Sequence, residues 1–410
     1  MNLVNKRILV MTSVYPQTPN GHHGAFIRET VLRLQPLGIR FSIFAPAYEG
    51  SSSYELDGIP VYRFRYFWAR YENLVRDGAP TKLQKQPLYL LVAFFYILLG
   101  TWQLWRVCRR EKPDVLHVNW PFPHGLMALP VSWATGTPMV FSFHGAELLL
   151  ANRFGWVSAV LQRLLPTAAA VTANSSFTRG LLSKLWDQPV TIIPYGLTIA
   201  AKAPQLRQAG EPPRLLFVGR LDERKGLRYL LAALPLVLAQ QHVQLRVVGQ
   251  GFLEPELKHQ CQQLGLAESV QFLGFVTKAE LANEYATCDI FVLPAIVDSK
   301  GDTEGLGIVM IEALAHEKPV IASQVGGIVD VITSGKTGLL VPEKQPTALA
   351  HAILDLLNHP EASQEMARNG FRDVQTRFSW QRIVPLWESV FADALSPKFA
   401  PDSSLPQKTL

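Results

Sequence analysis

Short apolar runs alternate with amphipathic stretches along most of the chain. Each run contains few polar residues, as expected for strands that are buried on both faces of a parallel sheet. In the first half of the chain, this pattern predicts strands at residues 7–13, 39–45, 61–64, 115–118, 139–143, 170–173 and 190–193. In the second half, it predicts strands at residues 215–218, 244–248, 270–272, 290–293, 320–322 and 338–341.

Helical patterns lie between most of these strands. They predict helices at residues 25–37, 225–239, 254–264, 277–287, 307–316, 346–358, 361–370 and 380–394. The alternation of strand and helix is typical of doubly wound α/β domains with parallel sheets. A chain of 410 residues is too long for one ordinary core. We therefore expect two Rossmann-like domains that face each other across a cleft.

A polar, proline-rich segment at residues 199–213 is typical of a linker and sets the predicted division. The first domain then spans residues 1–198, and the second spans residues 214–378. A final helix at 379–396 either stays with the second domain or crosses back to the first. The tail at 397–410 is expected to be disordered.

The stretch most informative about function is GDTEGLGIVMIEALA, residues 301–315. It predicts a buried helix that carries one carboxylate, Glu312, and begins shortly after another, Glu304. A buried carboxylate needs a partner, and two sugar hydroxyls can both donate to one. Glu304 would lie near a helix N-terminus, where a phosphate is also stabilised. The alternative is structural, with Glu304 as a cap and Glu312 paired with an arginine.

Two cations follow the first strand of the second domain. Arg220 ends that strand in the turn VGRL, and Lys225 precedes the next helix. This placement suits a diphosphate. An ordinary strand–helix loop with a surface arginine and lysine is the alternative.

Charge is distributed unevenly along the chain. Residues 1–205 contain 20 Lys and Arg against 10 Asp and Glu, a net charge of +10, whereas the remainder contains 19 against 23, a net charge of −4. A basic first half favours an anionic membrane face or a phosphate-bearing acceptor on that side. Nucleic acid is not an expected partner, because the usual recognition motifs are missing from the sequence. The cysteines Cys108, Cys261 and Cys288 have no paired spacing, which suits a reducing cytosol.

One segment, residues 86–105, carries no charge, although four basic residues follow it by position 112. Its length permits a membrane span, but its place between strands of one sheet argues against a crossing. Two interpretations remain, a helix buried in the first domain and a helix that rests partly on the bilayer. Trp102, Trp105 and the basic flank favour the second interpretation. The aromatic, basic stretch at 62–71 would join that surface or form a strand and loop of the domain.

Several motifs together resemble those of the retaining GT-B glycosyltransferases of family 4. EGLGIVMIEALA is similar to the E-x7-E element of that family, and VGRLDERKG is similar to its G-R-L…K-G segment. FHGAE, TANSSFT, IIPYGL, FLGFV and PVIASQVGGIVDVITSGKTGLLV also fall in the family's order. The set spans nearly the whole chain, and the ordered combination is more specific than any single motif.

The resemblance implies a role for each matching residue. Arg220 and Lys225 would hold the nucleotide diphosphate and stabilise the leaving group, while Glu312 would bind the ribose hydroxyls. Glu304 would contact the donor sugar, and His144 would face both the donor sugar and the acceptor. The other donor-binding residues implied are Gly24, Tyr195, Val276, Gly305, Leu306, Gly307 and Ile308. The family often has Asn-Gly-Val-Asp where this chain has Tyr195-Gly196-Leu197-Thr198, so the roles of that Asn and Asp do not transfer.

The expected activity is retaining transfer of a hexose from a nucleotide sugar, with UDP favoured over GDP, to a glycan or lipid-linked acceptor of the cell surface. The alternatives are another GT-B enzyme, such as a nucleotide-sugar epimerase or a phosphorylase, and a membrane-associated partner without turnover. We expect no metal, because Asp298 and Asp302 lack the D-x-D spacing of metal-dependent transferases and the histidines are scattered. The expected location is the cytoplasm, with peripheral contact to the inner face of an anionic cytoplasmic membrane through the basic first domain and residues 86–112.

Overall fold

The computed structural model describes residues 3–19, 21, 23–74, 86–197, 199, 201–203, 205 and 210–396. Within them, the chain forms two compact units. The first unit comprises the described residues up to Asn174, residues 178–193 and the chain from Ile383 onwards. The second unit comprises residues 175–177 and 194–382. The predicted disordered tail at 397–410 lies outside the described residues.

The first unit is built on a sheet of mostly parallel strands. Its strands are β1 (Arg7–Met11), β2 (Arg40–Pro46), β3 (Tyr54–Leu56), β4 (Ile59–Phe64), β5 (Val115–Asn119), β6 (Met139–Phe143), β7 (Ala168–Ala173) and β8 (Thr191–Ile192). They lie in the order β3-β4-β2-β1-β5-β6-β7-β8. Every neighbouring pair is parallel except β3 and β4. Strands β1 and β5 are buried along nearly their whole length, which explains their unbroken apolar sequence.

Helices follow most strands of this unit. They are α1 (Ala25–Leu34), α2 (Leu88–Glu111), α3 (Pro121–Thr135), α4 (Ala146–Arg153), α5 (Gly155–Leu164) and α6 (Ser176–Leu182). The C-terminal helix described below also packs here from Ile383 onwards. Its Trp387 and Phe391 rings contact the buried His117 ring at centroid distances of 4.9 and 5.5 Å.

The second unit has a wholly parallel sheet. Its strands are β9 (Arg214–Val218), β10 (Gln244–Val248), β11 (Val270–Gly274), β12 (Ile290–Leu293), β13 (Val320–Ser323) and β14 (Leu339–Val341). They lie in the order β11-β10-β9-β12-β13-β14. From β9, the strands β10 and β11 are added on one side and the strands β12 to β14 on the other, so the topological switch point lies between β9 and β12.

The helices of the second unit cover this sheet and close its core. They are α7 (Leu227–Leu238), α8 (Glu254–Gln263), α9 (Lys278–Thr287), α10 (Ile308–Ala315), α11 (Ile328–Val331), α12 (Pro346–Asn358) and α13 (Pro360–Arg377). The C-terminal helix α14 (Trp380–Ala394) begins in this unit and belongs to the first unit from Ile383 onwards. Ile199, from the predicted linker, packs in the same core. Gln205, also from that segment, donates its backbone N–H to the carbonyl of Ala286 at 2.9 Å.

All of the predicted strands are present, and the largest differences lie in a hairpin and one helix, besides the short helix α11, which was not predicted. Strand β3 was not predicted. It pairs with β4 through a turn at Asp57-Gly58, where both residues have positive φ, so the dipeptide Asp-Gly was the available signal. Helix α13 continues to Arg377, well beyond the predicted end at residue 370. Its buried positions Ala367, Gly370 and Val374 keep a helical spacing inside an otherwise polar sequence.

Helix α2 contains the uncharged segment and is only partly buried. One face is buried at every third or fourth residue, at Tyr89, Val92, Tyr96, Gly100, Leu104 and Cys108. The opposite face exposes large apolar side chains at Leu90, Leu91, Phe94, Leu98 and Trp102. By length and composition this helix could cross a membrane, a test that core helices of soluble proteins also pass.

Candidate active site

The loops that follow β9 and β12 form the centre of the candidate site in the second unit. These strands are neighbours in the sheet, with Leu215 opposite Ile290 and Leu216 opposite Phe291. Because the strands are parallel, the loops at their carboxyl ends emerge side by side. This pairing brings the predicted cations after β9 next to the predicted carboxylate after β12.

The loop after β9 is fixed by a short helical turn. Asp222 accepts a hydrogen bond from the backbone N–H of Lys225 at 3.2 Å and thereby caps the 3₁₀ turn at 223–225. The same carboxylate accepts from Arg220 Nε at 2.6 Å. The Arg220 side chain is nevertheless 63% exposed, so its guanidinium lies at the surface of the unit. Gly226 has φ +66, and a Cβ there would lie 1.8 Å from the Pro294 carbonyl oxygen, which excludes any other residue.

Lys225, Glu304 and Arg224 form a buried ionic cluster. Lys225 Nζ donates to Glu304 Oε2 at 2.5 Å, and Arg224 Nη1 approaches the same oxygen at 3.4 Å. Arg224 also donates to the carbonyl of Thr303 at 3.2 Å. Burial alone would raise the pKa of Glu304, but Lys225, Arg224 and Arg220 outweigh it and lower the pKa to about 2. Glu304 is therefore a carboxylate at every working pH.

Backbone contacts hold the loop that carries Glu304. The N–H of Gly327 donates to the Glu304 carbonyl at 2.8 Å. A Cβ on Gly327 would lie 2.0 Å from the carbonyl oxygen of Gly305, so the two loops meet backbone to backbone. Gly307 has φ +90 and directly precedes α10, whose N-terminus has no side-chain cap. The backbone N–H groups of the predicted stretch Gly305–Ile308 thus lie at the N-terminus of a helix, where a bound anion is stabilised.

Glu312 lies within α10 and is buried, as predicted. Its Oε2 accepts a hydrogen bond from the Tyr285 hydroxyl at 3.1 Å. That hydroxyl also lies 3.1 Å from the carbonyl of Val309. Burial and the neighbouring Glu312 raise the pKa of Tyr285, so its hydroxyl remains a donor. The Tyr285 hydroxyl thus orients the Glu312 side chain from within the same unit.

The other residues predicted on the donor side also lie in the second unit. Tyr195 and Val276 are partly buried and pack against its core. Val276 follows β11 and precedes α9, which begins with a capping box formed by Thr277 and Glu280. Within the described residues, no group of three or more His, Cys, Asp or Glu side chains is arranged to hold a metal ion.

Gly24 and His144 lie in the first unit, each at the carboxyl-terminal side of a strand. Gly24 has φ +77 and precedes α1, and a Cβ there would lie 2.6 Å from the Val14 carbonyl oxygen. His144 follows β6, and its Nε2 lies 2.9 Å from Asn119 Oδ1 at the end of β5. Since an amide oxygen only accepts, Nε2 is the protonated nitrogen of that pair. Burial lowers the pKa of His144 to about 3, so the ring is neutral.

A chain of hydrogen bonds continues behind His144. The Asn119 carbonyl oxygen lies 2.7 Å from His124 Nδ1, and His124 Nε2 lies 2.9 Å from the Tyr96 hydroxyl of α2. Asn119 Nδ2 also donates to the carbonyl of Met11 at 3.1 Å. The imidazole of His144 is thus positioned from β1, β5 and α2 together.

Two family descriptions match the sequence in succession. Residues 23–200 match Glycosyltransferase Family 4, and residues 199–373 match Glycosyl transferases group 1. The phosphatidyl-myo-inositol mannosyltransferase of Mycobacterium leprae is 32% identical over 295 residues, which cover 68% of this chain and 74% of that protein. The chain belongs to the family 4 glycosyltransferases.

Two further comparisons extend over almost the whole glycosyltransferase. The GDP-mannose-dependent alpha-(1-6)-phosphatidylinositol monomannoside mannosyltransferase of Mycobacterium tuberculosis is 27% identical over 403 residues, 92% of this chain and 96% of that protein. Anabaena HepE, whose structure was solved in complex with UDP and glucose, superposes with a TM-score of 0.71 at 19% identity and covers 95% of this chain and 100% of HepE. The predicted GT-B fold and the predicted hexosyltransferase that uses a nucleotide sugar are thereby confirmed.

The glycosyltransferase also has site residues that the sequence analysis missed. Arg224 was not singled out, although it lies between the predicted Arg220 and Lys225 and shares Glu304 with Lys225. Glu147, in the motif FHGAE, was given no role. Its Oε1 accepts from the backbone N–H of His144 at 2.8 Å and so fixes the loop after β6. A glutamate three residues after the histidine was the available signal.

Glu147 is an unusual carboxyl group in this transferase. It is buried, and among the described residues its Oε2 has no hydrogen-bond partner. Burial raises its pKa to about 7, although backbone N–H groups of Glu147, His144 and Gly145 partly offset the shift. Protonation of Glu147 therefore falls in the neutral pH range.

Proposed function

We propose that this glycosyltransferase retains anomeric configuration and transfers a hexose to a glycan or lipid-linked acceptor in the synthesis of cell-surface polysaccharide or glycolipid. The observation that carries the proposal is the cluster of Lys225, Arg224 and Glu304 beside the exposed Arg220, at the switch point of the second sheet. The mannosyltransferases reported above are named for phosphatidylinositol acceptors, which supports a lipid-linked acceptor. The named relatives also favour a transferase over an epimerase or a phosphorylase.

The donor would bind through its diphosphate and its ribose. Departure of the nucleoside diphosphate leaves negative charge on the phosphate, and fixed cations such as Arg220 and Lys225 stabilise that charge. The uncapped N-terminus of α10 adds backbone N–H groups. Glu312, oriented by Tyr285, would accept hydrogen bonds from the two ribose hydroxyls.

Retention of configuration would follow from attack on the same face that the phosphate leaves. Glu304 is a poor covalent nucleophile, because Lys225 and Arg224 both occupy one of its oxygens and keep its pKa near 2. The departing phosphate would accept the proton of the acceptor hydroxyl. Glu304 would instead orient Lys225 and contact the donor sugar. An inverted anomer in the product, measured by the NMR coupling of the anomeric proton, would overturn this mechanism.

The preference for UDP over GDP and the independence from metal remain predictions. The two comparisons point to different bases. One relative in sequence is named for GDP-mannose, whereas one protein of similar fold was solved in complex with UDP. The base would lie near Val276, where backbone groups rather than a distinctive side chain are available. A measurement of nucleotide binding is therefore needed to identify the base of the donor.

A nucleoside diphosphate should stabilise the purified protein against thermal unfolding when EDTA is present, and UDP should do so more than GDP or ADP. Ligand at 100 times its Kd adds about 2.7 kcal/mol to the free energy of unfolding, a shift that differential scanning fluorimetry resolves. Arg220→Ala and Glu312→Gln should each remove most of the shift, because they delete the diphosphate and ribose contacts. Arg228→Ala removes an exposed arginine of the same unit that pairs with Glu256, and it should retain the shift.

Failure of all three nucleotides to stabilise a folded sample would contradict the proposed donor site. Stabilisation that appears only after addition of a divalent cation would contradict metal independence alone. An equal shift in Glu312→Gln and the parent protein would remove Glu312 from the ribose site.

The exposed face of α2 is proposed to rest on an anionic membrane from the cytoplasmic side. Leu90, Phe94, Leu98 and Trp102 recur every fourth residue, so they form one apolar stripe. A groove of about 440 Å³ beside the stripe is lined almost wholly by apolar side chains, including Trp105. It is large enough for part of an acyl chain.

Basic side chains border this stripe at one end of the helix. Arg106 lies over the Trp102 ring at 4.9 Å, Arg109 over Trp105 at 5.1 Å and Arg110 over Tyr62 at 4.6 Å. Aromatic rings at the headgroup level with arginines beside them are typical of peripheral contact with anionic lipid. The stretch at 62–71 is a strand and loop of the unit, as one interpretation predicted, and it exposes Trp68.

Vesicles that contain phosphatidylglycerol should bind the full chain, and vesicles of phosphatidylcholine alone should bind it more weakly. Phe94→Gln combined with Leu98→Gln should reduce binding at least tenfold in a co-sedimentation assay, because moving two apolar side chains from water into the bilayer contributes about 3 kcal/mol or more. Leu236→Gln, which changes an exposed leucine of α7 in the second unit, is the matched control and should bind normally. Equal binding by the double variant and the parent protein would exclude this face.

A further inference from the structure

A pocket in the first unit has no role in the function described so far. It lies beside the loop that follows β1 and the ends of β2 and β4, and its volume is about 240 Å³. This is far more than the roughly 10–15 Å³ that one water molecule needs. Two of the side chains that line it, Tyr15 and Arg63, contain buried polar atoms without a hydrogen-bond partner among the described residues.

Arg63 is a buried cation whose hydrogen bonds within the described residues all go to neutral oxygen atoms. It is 9% exposed. Its guanidinium donates to the carbonyls of Pro46 and Tyr15 at 3.1 and 2.6 Å, and to the Tyr54 hydroxyl at 2.9 Å. Its Nε–H has no acceptor in the described structure. Among the described residues, Arg63 thus keeps an unused donor at Nε, and no carboxylate bonds to its guanidinium to compensate the positive charge.

Tyr15 adds a second unused donor. It is 3% exposed, and its hydroxyl has no hydrogen-bond partner in the described part of the chain. Burial raises the pKa of Tyr15, so the hydroxyl stays protonated at any physiological pH. Leaving such a group buried without a partner destabilises the folded protein, and a bound acceptor atom would offset that cost.

Other charges near the pocket are already paired. Glu72 also lines it, but its oxygens accept from Arg65 Nε at 2.7 Å and from the Gly50 N–H at 3.1 Å. Arg28 and Asp57, which act electrostatically on Tyr15, form a pair through Nε and Oδ2 at 2.6 Å. Water could accept the two unused hydrogen bonds, but only an anion would also compensate the charge of Arg63.

We propose that this pocket binds an oxyanion of the acceptor, with Arg63 Nε and the Tyr15 hydroxyl as its donors. The proposal rests on the proposed transferase function, since it assigns the pocket to the acceptor. A phosphate of a lipid-linked acceptor and the carboxylate of an acidic sugar present the same chemistry, and both accept from a guanidinium. The pocket would select acceptors by charge and would not take part in bond breaking.

The test is calorimetric titration of the full chain carrying Arg220→Ala, which removes the donor-side guanidinium as a competing phosphate site. Glycerol 1-phosphate and glucuronate are the anionic probes, and glycerol and glucose are their neutral counterparts. At least one anionic probe should bind, and neither neutral probe should. Binding of glycerol 1-phosphate alone would support a phosphate-bearing acceptor, and binding of glucuronate alone would support an acidic sugar.

Variants in the same background locate the bound probe. Tyr15→Phe should weaken binding about tenfold, as expected for a hydrogen bond to a charged group. It should not lower Tm in the absence of probe, because the lost hydroxyl has no partner in the described structure. Arg63→Gln should weaken binding further, whereas Arg70→Gln removes an equal charge beside Tyr71 and should bind as the parent does.

Two results would overturn the proposal. One is no binding of either anion to the folded chain. The other is unchanged affinity in Tyr15→Phe, which is expected to fold even if Arg63→Gln does not. Because the titration needs no donor, its failure would leave the nucleotide-binding result standing, and the converse also holds.

Discussion

Lys225→Met is expected to lower kcat by about 10²–10³-fold, the loss typical of removing one preorganised group that stabilises developing negative charge. Lys225 is buried, and the stem of its side chain packs against Gly219. Methionine preserves this apolar stem and removes only the ammonium group. Lys258→Met, which breaks an exposed pair with Glu254 on α8, is the control and should leave kcat unchanged. Transfer from the nucleotide sugar identified by the stabilisation assay provides the measurement.

The same substitution should destabilise the protein by about 3 kcal/mol, because Glu304 loses its closest cation while it remains buried. Adding Glu304→Gln removes the carboxylate that has lost its closest cation and should restore part of the lost stability without restoring activity, although Arg224 then loses its charged partner. Denaturant unfolding of both single variants and the double variant separates the two effects. If the double variant regained activity, Lys225 would serve only to neutralise Glu304.

Glu147→Gln is expected to raise the free energy of unfolding relative to the parent protein. This gain should be larger in alkaline than in acidic solution, by up to about 3 kcal/mol. Burial raises the pKa of Glu147 to about 7 in the folded protein, against an ordinary value of 4.5 for a glutamate. Because the folded pKa is raised, the folded state binds this proton more tightly than the unfolded state does. The stability gained in this way is complete below pH 4.5, falls as the pH rises through 7 and is absent above that range. The difference of about 2.5 between the folded and ordinary pKa values corresponds to about 3 kcal/mol in the free energy of unfolding.

Unfolding in denaturant at pH 5 and pH 8.5 measures this effect. The advantage of Glu147→Gln over the parent should grow between the two pH values, because glutamine keeps the acceptor for the His144 N–H but cannot ionise. Glu55→Gln changes an exposed carboxylate of the same unit and should show no such growth. An equal difference at both pH values would mean that Glu147 does not titrate in this range.

Periodicity predicted the fold well because each strand is either buried on both faces or flanked by clear helical patterns. Strand β12, for example, is buried at every position and could not be mistaken for a surface segment. The short hairpin strand β3 has only one buried residue, Leu56, and so gave no apolar run. Local pattern alone could not reveal it.

The candidate site was predictable where chemistry and motif coincide. Lys225 and Glu304 were both expected, but not that they bond directly, since 79 residues separate them and only the sheet brings them together. The sequence pattern singled out neither Arg224 nor Glu147. Their burial is a tertiary property that no local spacing encodes.

The adjacency of β9 and β12 also has a consequence for folding. Leu215 pairs with Ile290, and Arg214 donates its N–H to Asp289 at 2.7 Å, so this junction closes a long loop of chain. Contacts of such high sequence separation form slowly, because the entropy of loop closure is lost before the contacts compensate it. The ionic cluster is complete only after the strands have joined. A bound nucleotide would therefore act mainly by slowing unfolding, and it would do little to speed the search that first aligns the two strands.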